Sequence, residues 1–395
     1  MKALVSGAGI TGLAAAQRLA HHGWEVAVVE KAGGPRPQGY MMDFFGPGYE
    51  AVRLMGLEDR LVELGQRVRT ADFVDRRGKV TSSMDYSVFE KAAGDGLVSI
   101  MRPDLELLLR EAARSSADLR YGTVVERVDQ RPDGITAELS DGTTAEADLL
   151  VVAEGLHSPT RALMFGPESD HLHRLGMHTS AFVFDDPELF AEVRGRFVMT
   201  DSVDAQLGMY GTREGRVAAF TVHRTDDPLP GDPRETLLAR FGGMGPFTDR
   251  VMGRCPASED LYYDEVAQID MPSWTDGRAI VLGDAAYAVS LVAGQGASLG
   301  VSGAYVLGEI LGSLSDSDGV PGALEAFESR FSPVVRDRQS TVRRNGAKVF
   351  LPHSEFQLRR RKWLTRLMRL PGTSRLLRSG LIGKDHTSVA ALSEL

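Results

Sequence analysis

Residues 2–31, KALVSGAGITGLAAAQRLAHHGWEVAVVEK, constrain the fold more than any other stretch of this chain. A short apolar run leads into glycines at positions 7, 9 and 12, which have the spacing G-x-G-x-x-G. An Ala- and Leu-rich stretch with helical periodicity follows, and then a second apolar run, EVAVVE. This order predicts the strand–turn–helix–strand unit of a Rossmann-like dinucleotide-binding fold.

Each residue of the motif has a predicted task. Gly7 permits the tight turn, Gly9 lets a pyrophosphate approach the N-terminus of the helix, and Gly12 lets helix and strand pack closely. Glu30 ends the second strand, where a carboxylate accepts hydrogen bonds from a ribose diol. Lys31 follows it directly and is a further candidate for cofactor binding. A merely structural glycine turn is the disfavoured alternative, because two strands and an acidic residue frame the motif.

The composition restricts the class of protein. The chain has 395 residues, which suggests two or three structural units. Its formal net charge of −9 argues against a nucleic-acid partner, which would require clustered positive charge. The single cysteine, Cys255, rules out an intramolecular disulfide. We find no signal peptide, no apolar run long enough to span a bilayer and no metal-ligand spacing, so we expect a cytoplasmic protein without a metal.

A second glycine-containing stretch lies far along the chain, at residues 280–298, IVLGDAAYAVSLVAGQGAS. Asp284 directly follows what reads as a buried strand, and Gly294 and Gly296 come about ten residues later. Taken alone, this pattern is equally compatible with a helix whose N-terminus is capped by an aspartate.

Four motifs in order make the chain resemble the FAD-dependent class A monooxygenases, the para-hydroxybenzoate hydroxylase-like group, from residue 1 to about 345. The first motif is the glycine motif with Glu30. The second is IMRPDLELLL, which contains Arg102, and the third is DLLVVAEGLHSPTR, which contains Glu154. The fourth is GDAA, which begins with Gly283 and Asp284.

The resemblance implies non-covalent FAD and assigns residues to it. Arg102 is expected near the ribityl chain and pyrophosphate, Val125 is expected to contact adenine through its backbone, and Asp284 is expected to bind ribityl hydroxyls. The motif around Glu154 is associated in the family with both FAD and nicotinamide. The backbone expected to approach the flavin ring belongs to Gly294, Gly296 and Ala297.

The resemblance also implies an activity. NADPH or NADH would reduce the flavin, O2 would form a C4a-hydroperoxyflavin, and an oxygen atom would pass to a bulky aromatic or polyketide-like small molecule. It identifies no catalytic side chain. A flavin-dependent halogenase is disfavoured because the chain has no W-x-W-x-I-P stretch.

The chain departs from the family pattern in two places. Glu154 stands where the family usually has aspartate, while Tyr287 and Leu291 replace a histidine and a proline after GDAA. These departures leave an alternative function open, that of a FAD-bound family member acting as a non-redox cyclase in natural-product biosynthesis.

The predicted fold class is α/β, with a Rossmann-like FAD-binding domain, a second, mostly antiparallel β-sheet substrate domain and C-terminal helices. The substrate domain is predicted from short alternating segments, and its residues Met199, Met209, Tyr210 and Phe220 could form either a pocket or plain core. The FAD-binding domain is predicted to be discontinuous and to comprise residues 1–75, 97–170 and 271–350. The substrate domain is predicted to comprise residues 76–96 and 171–270.

Residues 351–395 are predicted to form a C-terminal helical segment that contains the basic amphipathic stretch LRRRKWLTRLMRLPGTSRLL. The favoured interpretation is a helix that packs Trp363, Leu364, Leu367 and Met368 onto the body of the protein. The alternative is a helix that binds a membrane surface or an acidic partner. The oligomeric state is left open by the sequence.

Overall fold

The computed structural model describes residues 1–93, 96–200, 202–291, 294–346, 351–367 and 388–393. A six-stranded sheet forms the centre of its first unit, and all its strand pairs are parallel except the one at the edge. In spatial order its strands are β17 (Thr275–Asp276), β18 (Ala279–Val281), β11 (Leu149–Val152), β1 (Lys2–Ser6), β2 (Glu25–Glu30) and β7 (Ala117–Tyr121).

Helices cover this sheet because its strands are apolar on both faces, as parallel sheets require. Every residue of β11 and of β18 is completely buried. The main covering helices are α1 (Ile10–His21), α5 (Arg102–Ala113), α11 (Gly296–Gly312) and α12 (Val320–Thr341). The predicted strand–turn–helix–strand unit at the N-terminus is confirmed.

The second unit is built on a seven-stranded, mostly antiparallel sheet. In spatial order its strands are β16 (Tyr262–Ile269), β12 (Leu172–Phe184), β15 (Val217–Arg224), β14 (Ala205–Gly211), β13 (Arg196–Thr200), β4 (Thr70–Val74) and β5 (Val80–Asp85). The predicted fold class is thereby confirmed. The sequence analysis places residues 70–74 in the FAD-binding domain, whereas the structure shows them as β4 of this sheet. The other domain boundaries stay predictions.

Side chains alternate between the two faces of this sheet, as they must along any β-strand. One face packs with three helices around a separate core that includes Phe182, Leu207 and Phe241. Those helices are α7 (Pro187–Val193), α8 (Pro233–Phe241) and α9 (Pro246–Met252). The opposite face carries Tyr210 and Phe220, which belong to two smaller apolar clusters. Tyr210 clusters with Met41 and Met101, and Phe220 clusters with Leu291 and Leu351.

The remaining elements are short. A two-stranded sheet pairs β3 (Met41–Phe45) with β6 (Leu97–Met101), and a three-stranded one joins β8 (Val125–Arg131), β9 (Gly134–Leu139) and β10 (Thr144–Ala147). The short helices are α2 (Pro47–Leu54), α3 (Glu58–Leu64), α4 (Ser87–Ala93), α6 (Pro159–Phe165) and α10 (Asp284–Tyr287).

At the C-terminus the structure describes two further helices, α13 (Glu355–Leu367) and α14 (Val389–Ser393). Trp363 on α13 is 62% exposed, so the prediction that it packs onto the body is wrong. Met368, which belonged to the same prediction, lies outside the described residues. Among the helices that are described, none is long and apolar enough to cross a membrane.

Candidate functional site

The N-terminus of α1 is suited to bind an anion. Gly9 is the N-cap of this helix, no side chain caps the first turn, and no acidic residue lies in it. The first backbone N–H groups of a helix lack intrahelical partners, and the helix dipole favours negative charge there. A Cβ atom on Gly9 would lie 3.9 Å from Nη2 of Arg102. The second sequence motif therefore brings a guanidinium to the glycine turn.

The two other glycines of this motif are required by backbone packing. Gly7 has a φ of +108°, and a Cβ atom there would lie 2.4 Å from the carbonyl oxygen of Ala153. A Cβ atom on Gly12 would lie only 1.9 Å from the carbonyl oxygen of Gly7. These contacts hold the first turn of α1 against the ends of β1 and β11, as the sequence analysis expected.

Glu30 lies beside this turn at the end of β2. Its two carboxylate oxygens each accept a backbone hydrogen bond at 2.9 Å, one from Ala8 and one from Ala32. The carboxylate thus has a defined position next to a cavity. The residues that line this cavity are Ala8, Gly9, Glu30, Ala32, Gly34, Arg36, Glu106 and Tyr121.

Two other predicted residues lie near Glu30. Lys31 is exposed, directly after the end of β2. Val125 is buried at the start of β8. The preceding segment is held to the end of β2 by a 3.0 Å hydrogen bond from the backbone N–H of Thr123 to the carbonyl oxygen of Glu30.

Arg102 and Asp284 face the same cleft from different elements. Arg102 is the first residue of α5, and its Nη1 donates to Glu106 at 3.0 Å. Asp284 follows β18 through Gly283, and its side chain is accessible on the cleft wall. Surrounding protein nevertheless raises the pKa of Asp284, and the positive charge of Arg102 partly offsets this rise.

The end of the second glycine-containing stretch, residues 294–297, closes this side of the cleft. Gly294 has a φ of +62°, and apart from its chain neighbours no residue that the structure describes has an atom within 4 Å of its missing Cβ. Gly296 begins α11, and a Cβ atom there would lie 3.3 Å from Oδ1 of Asp284. Ala297 follows in a first turn that has neither a side-chain cap nor an acidic residue. A second helix N-terminus thus opens beside Asp284.

Glu154 is surrounded by hydrogen-bond donors of the protein itself. Its Oε1 accepts hydrogen bonds from the hydroxyls of Ser6 and Thr160. Its Oε2 accepts from the hydroxyl of Ser158 at 2.6 Å and from the backbone N–H of Thr160 at 3.0 Å. The carboxylate therefore joins the end of β1 to the first turn of α6. Its role in cofactor binding stays a prediction, and these contacts indicate a bracing role.

The structure adds a charged cluster that the sequence analysis did not identify. His157 follows β11, and its Nδ1 lies 3.1 Å from both carboxylate oxygens of Glu168. Its Nε2 lies 3.0 Å from Oδ1 of Asp264 on β16. Buried Arg161 also binds Glu168, at 3.2 Å, and the carbonyl oxygen of Ala285, at 2.8 Å. The cluster links the first unit to the second sheet.

These contacts predict a pH-dependent stability. The hydrogen bond to Asp264 is the main reason that the pKa of His157 is raised from 6.5 to about 9; Glu168 also raises this pKa, while burial lowers it. Because the folded-state pKa is the higher one, the stabilisation is complete below a pH of about 6.5 and is lost as the pH rises through about 9. We therefore expect wild type to unfold at a higher temperature than His157→Gln at neutral pH.

Circular dichroism during heating measures this difference. We expect the gap between the two unfolding temperatures to narrow steadily as the pH is raised through the alkaline range. A gap that stays constant from about pH 6 to about pH 10 would contradict a charged His157 in the fold.

Aromatic side chains form another wall of the cleft. The Tyr40 ring lies 5.7 Å from the Phe220 ring and 5.9 Å from the Tyr262 ring, measured between centroids. The sequence left several residues of the second unit as either pocket or core. Of these, Tyr210 and Phe220 lie on the face of the seven-stranded sheet that carries the aromatic rings, which we call the inner face. Met209 lies on the other face and is buried in the core under α7, α8 and α9. The alternation of side chains along each strand, rather than composition, separates the two groups.

Comparison with known proteins agrees with this architecture. The family model described as "FAD binding domain" matches residues 1–227 and 259–341. A flavin-dependent monooxygenase from an unknown prokaryotic organism is 31% identical over 81% of this chain and 82% of its own length. A flavin-dependent monooxygenase from Legionella longbeachae is 30% identical over 78% of this chain and 79% of its own length.

Solved structures share the fold. The crystal structure of the tetracycline destructase Tet(51) superposes with a TM-score of 0.79, at 24% identity over 96% of this chain and 98% of the other. The matching model, the relatives and the four motifs agree with one another. This chain belongs to the FAD-binding family of class A flavin-dependent monooxygenases.

Proposed function

We propose that this protein is a monooxygenase that uses FAD, NADPH or NADH, and O2 to oxygenate a bulky aromatic or polyketide-like small molecule. The observation that carries the proposal is one cleft with two kinds of wall. The uncapped N-termini of α1 and α11, with Arg102 and Asp284 between them, form one wall. The aromatic face of the seven-stranded sheet forms the other.

The residues of the first wall fit FAD. We assign the pyrophosphate to the first turn of α1 at Gly9, because unpaired N–H groups and Arg102 meet there. Glu30 would accept hydrogen bonds from the adenosine ribose, and Val125 would lie at the adenine. Asp284 would accept hydrogen bonds from the ribityl hydroxyls, an assignment that its exposed carboxylate on the cleft wall supports.

The segment 294–297 would lie against the flavin ring. Among the described residues other than its chain neighbours, none has an atom within 4 Å of the missing Cβ of Gly294, so a flat ring could approach the backbone there. The N-terminus of α11 would stabilise negative charge on the reduced ring, because helix dipoles favour anions at this end. When bound, FAD supplies the redox and oxygen chemistry, whereas the protein binds and orients the reactants.

The protein must also keep water away from the reacting atoms. Met41 on β3 packs with Met101, Tyr210 and Ala218, which close the contact between the small sheet and the substrate sheet. The backbone N–H of Met41 also donates to the hydroxyl of Tyr210. The segment after residue 40 thus forms an apolar wall beside the aromatic rings.

Anaerobic stopped-flow spectroscopy tests the proposal. The purified protein with FAD is mixed with NADPH or NADH, with and without 2-naphthol, and the visible flavin band is followed. We expect at least one of the two nucleotides to bleach the band, and readmitted O2 to restore it. Bleaching by dithionite but by neither nucleotide would refute the proposal and favour the non-redox cyclase, whose only support at present is the set of departures at Glu154, Tyr287 and Leu291.

A further inference from the structure

The register of three strands places an acidic residue beside the aromatic wall. Ala181 on β12 is paired with Phe220 on β15 and with Tyr262 on β16, so the three side chains share the inner face. Two residues along β12, Thr179 is paired in the same way with Asp264 on β16. Asp264 therefore projects from the same face as Tyr262, one row further along.

Small residues between large rings shape this face. Ala181 lies between the two aromatic positions, and Gly208 on β14 is paired with Phe220 on its other side. Tyr40, from the loop that follows β2, contacts both Phe220 and Tyr262. Aromatic rings prefer tilted or offset contacts at such distances. This face is therefore suited to a flat aromatic ligand.

The carboxylate of Asp264 has one oxygen in use and one available. Its Oδ1 accepts from Nε2 of His157 at 3.0 Å and from the backbone N–H of Glu265 at 2.8 Å. Its Oδ2 accepts no hydrogen bond from the residues that the structure describes, and the side chain is 19% exposed. His157, held in turn by Glu168, fixes the orientation of the group. Asp264 thus presents a hydrogen-bond acceptor next to the rings.

The surrounding charges disfavour an anion at this position. Burial and the negative charges of Asp284 and Asp264 raise the pKa of Tyr40 to about 12, with Arg102 opposing them. The guanidinium of Arg102 is engaged by Glu106 at 3.0 Å. The charge of His157 is balanced by two carboxylates.

We infer that Asp264 selects the substrate: it accepts a hydrogen bond from a hydroxyl or N–H group on an uncharged or cationic aromatic compound, and it rejects aromatic carboxylates. This inference rests on the proposed function for its setting, and it narrows the substrate class. A partly buried acceptor discriminates because a bound analogue without the donor leaves Oδ2 unpaired, whereas an anion is repelled by the carboxylate.

The test compares three probes that share the naphthalene ring and differ in one substituent: 2-naphthol, 2-methoxynaphthalene and 2-naphthoate. Binding to the FAD-loaded protein is measured from the change in the visible flavin spectrum, which requires no turnover. We expect wild type to bind 2-naphthol roughly tenfold more tightly than either other probe. Equal or tighter binding of 2-naphthoate, or no binding of 2-naphthol up to its solubility limit, would overturn the inference.

Asp264→Asn tests the residue itself. Because the amide keeps the shape and loses the charge, we expect the preference for 2-naphthol over 2-naphthoate to fall roughly tenfold. The matched control is Asp270→Asn, just beyond the end of β16, where the carboxylate binds Arg343 at 2.9 Å on the surface. This control should keep the wild-type preference. An unchanged preference in an Asp264→Asn protein with full FAD content would exclude the assigned role.

The two proposals can fail separately. Absence of flavin reduction by NADPH or NADH would refute the monooxygenase function while the binding preference persists. If NADPH or NADH reduces the flavin but the protein shows no preference for 2-naphthol over the other two probes, only the role of Asp264 is refuted.

Discussion

Gly9→Val is expected to yield a folded protein that binds FAD roughly 100-fold more weakly or not at all, a loss of about 2.7 kcal/mol or more. Gly9 has φ −77° and ψ −176°, an extended conformation that valine adopts without strain. Apart from its chain neighbours, Arg102 is the only residue in the described part of the chain with an atom within 4 Å of a Cβ atom there, at 3.9 Å. The added methyl groups would therefore occupy the position assigned to the pyrophosphate rather than disturb the core.

Fluorescence titration of the refolded apoprotein with FAD measures this effect, and circular dichroism checks the fold. Gly231→Val is the matched control, because beyond its neighbouring residues no atom in the described part of the chain lies within 4 Å of a Cβ atom at Gly231. The control should bind FAD as wild type does. Full FAD content in purified Gly9→Val would show that the pyrophosphate lies elsewhere.

Gly12→Ala is expected to destabilise the whole fold by more than about 3 kcal/mol, beyond the usual cost of an extra methyl group in a packed core. The new Cβ atom would lie 1.9 Å from the carbonyl oxygen of Gly7, which is backbone and cannot turn aside. Moving α1 away from β1 would open the core around Leu13 and Val5, both of which are buried.

Thermal unfolding of the FAD-bound protein measures this prediction, together with the yield of folded protein. Gly322→Ala, in the first turn of α12, is the matched control because it adds the same methyl group where, outside the backbone of its own helix and its chain neighbours, no described residue has an atom within 4 Å. We expect this control to match wild type or to gain about 0.5–1 kcal/mol from the lower entropy of the unfolded chain. An unfolding temperature for Gly12→Ala equal to that of the control would contradict the packing argument.

The two glycine substitutions differ although both alter one motif. Gly9 is required by the predicted ligand, whereas Gly12 is required by the contact between α1 and Gly7. The sequence motif predicts both requirements, and the distances to the missing Cβ atoms separate them. One substitution should therefore remove FAD from an intact fold, and the other should weaken the fold itself.

Local order along the chain was sufficient to predict the first unit. A strand, a glycine turn, a helix and a second strand follow within 30 residues, so their pairing involves little loop closure and leaves a distinct periodicity. The same holds for Glu30, which ends β2, and for Asp284, which comes shortly after the end of β18, so that both lie at the carboxyl edge of the parallel sheet. The sequence therefore predicts that the cofactor binds at this edge.

Only the tertiary structure decided how the distant groups are used. Glu154 is taken up by Ser6, Ser158 and Thr160, and nothing in its own motif shows that β1 would supply one of those donors. Asp264 meets His157 because β16 is an edge strand in a particular register with β12. A shift of one residue along that strand would turn Asp264 to the opposite face. Because register depends on packing between strands far apart in the chain, the composition of β16 determines that it is a strand, and the folded sheet alone determines that Asp264 lies on the same face as the aromatic rings.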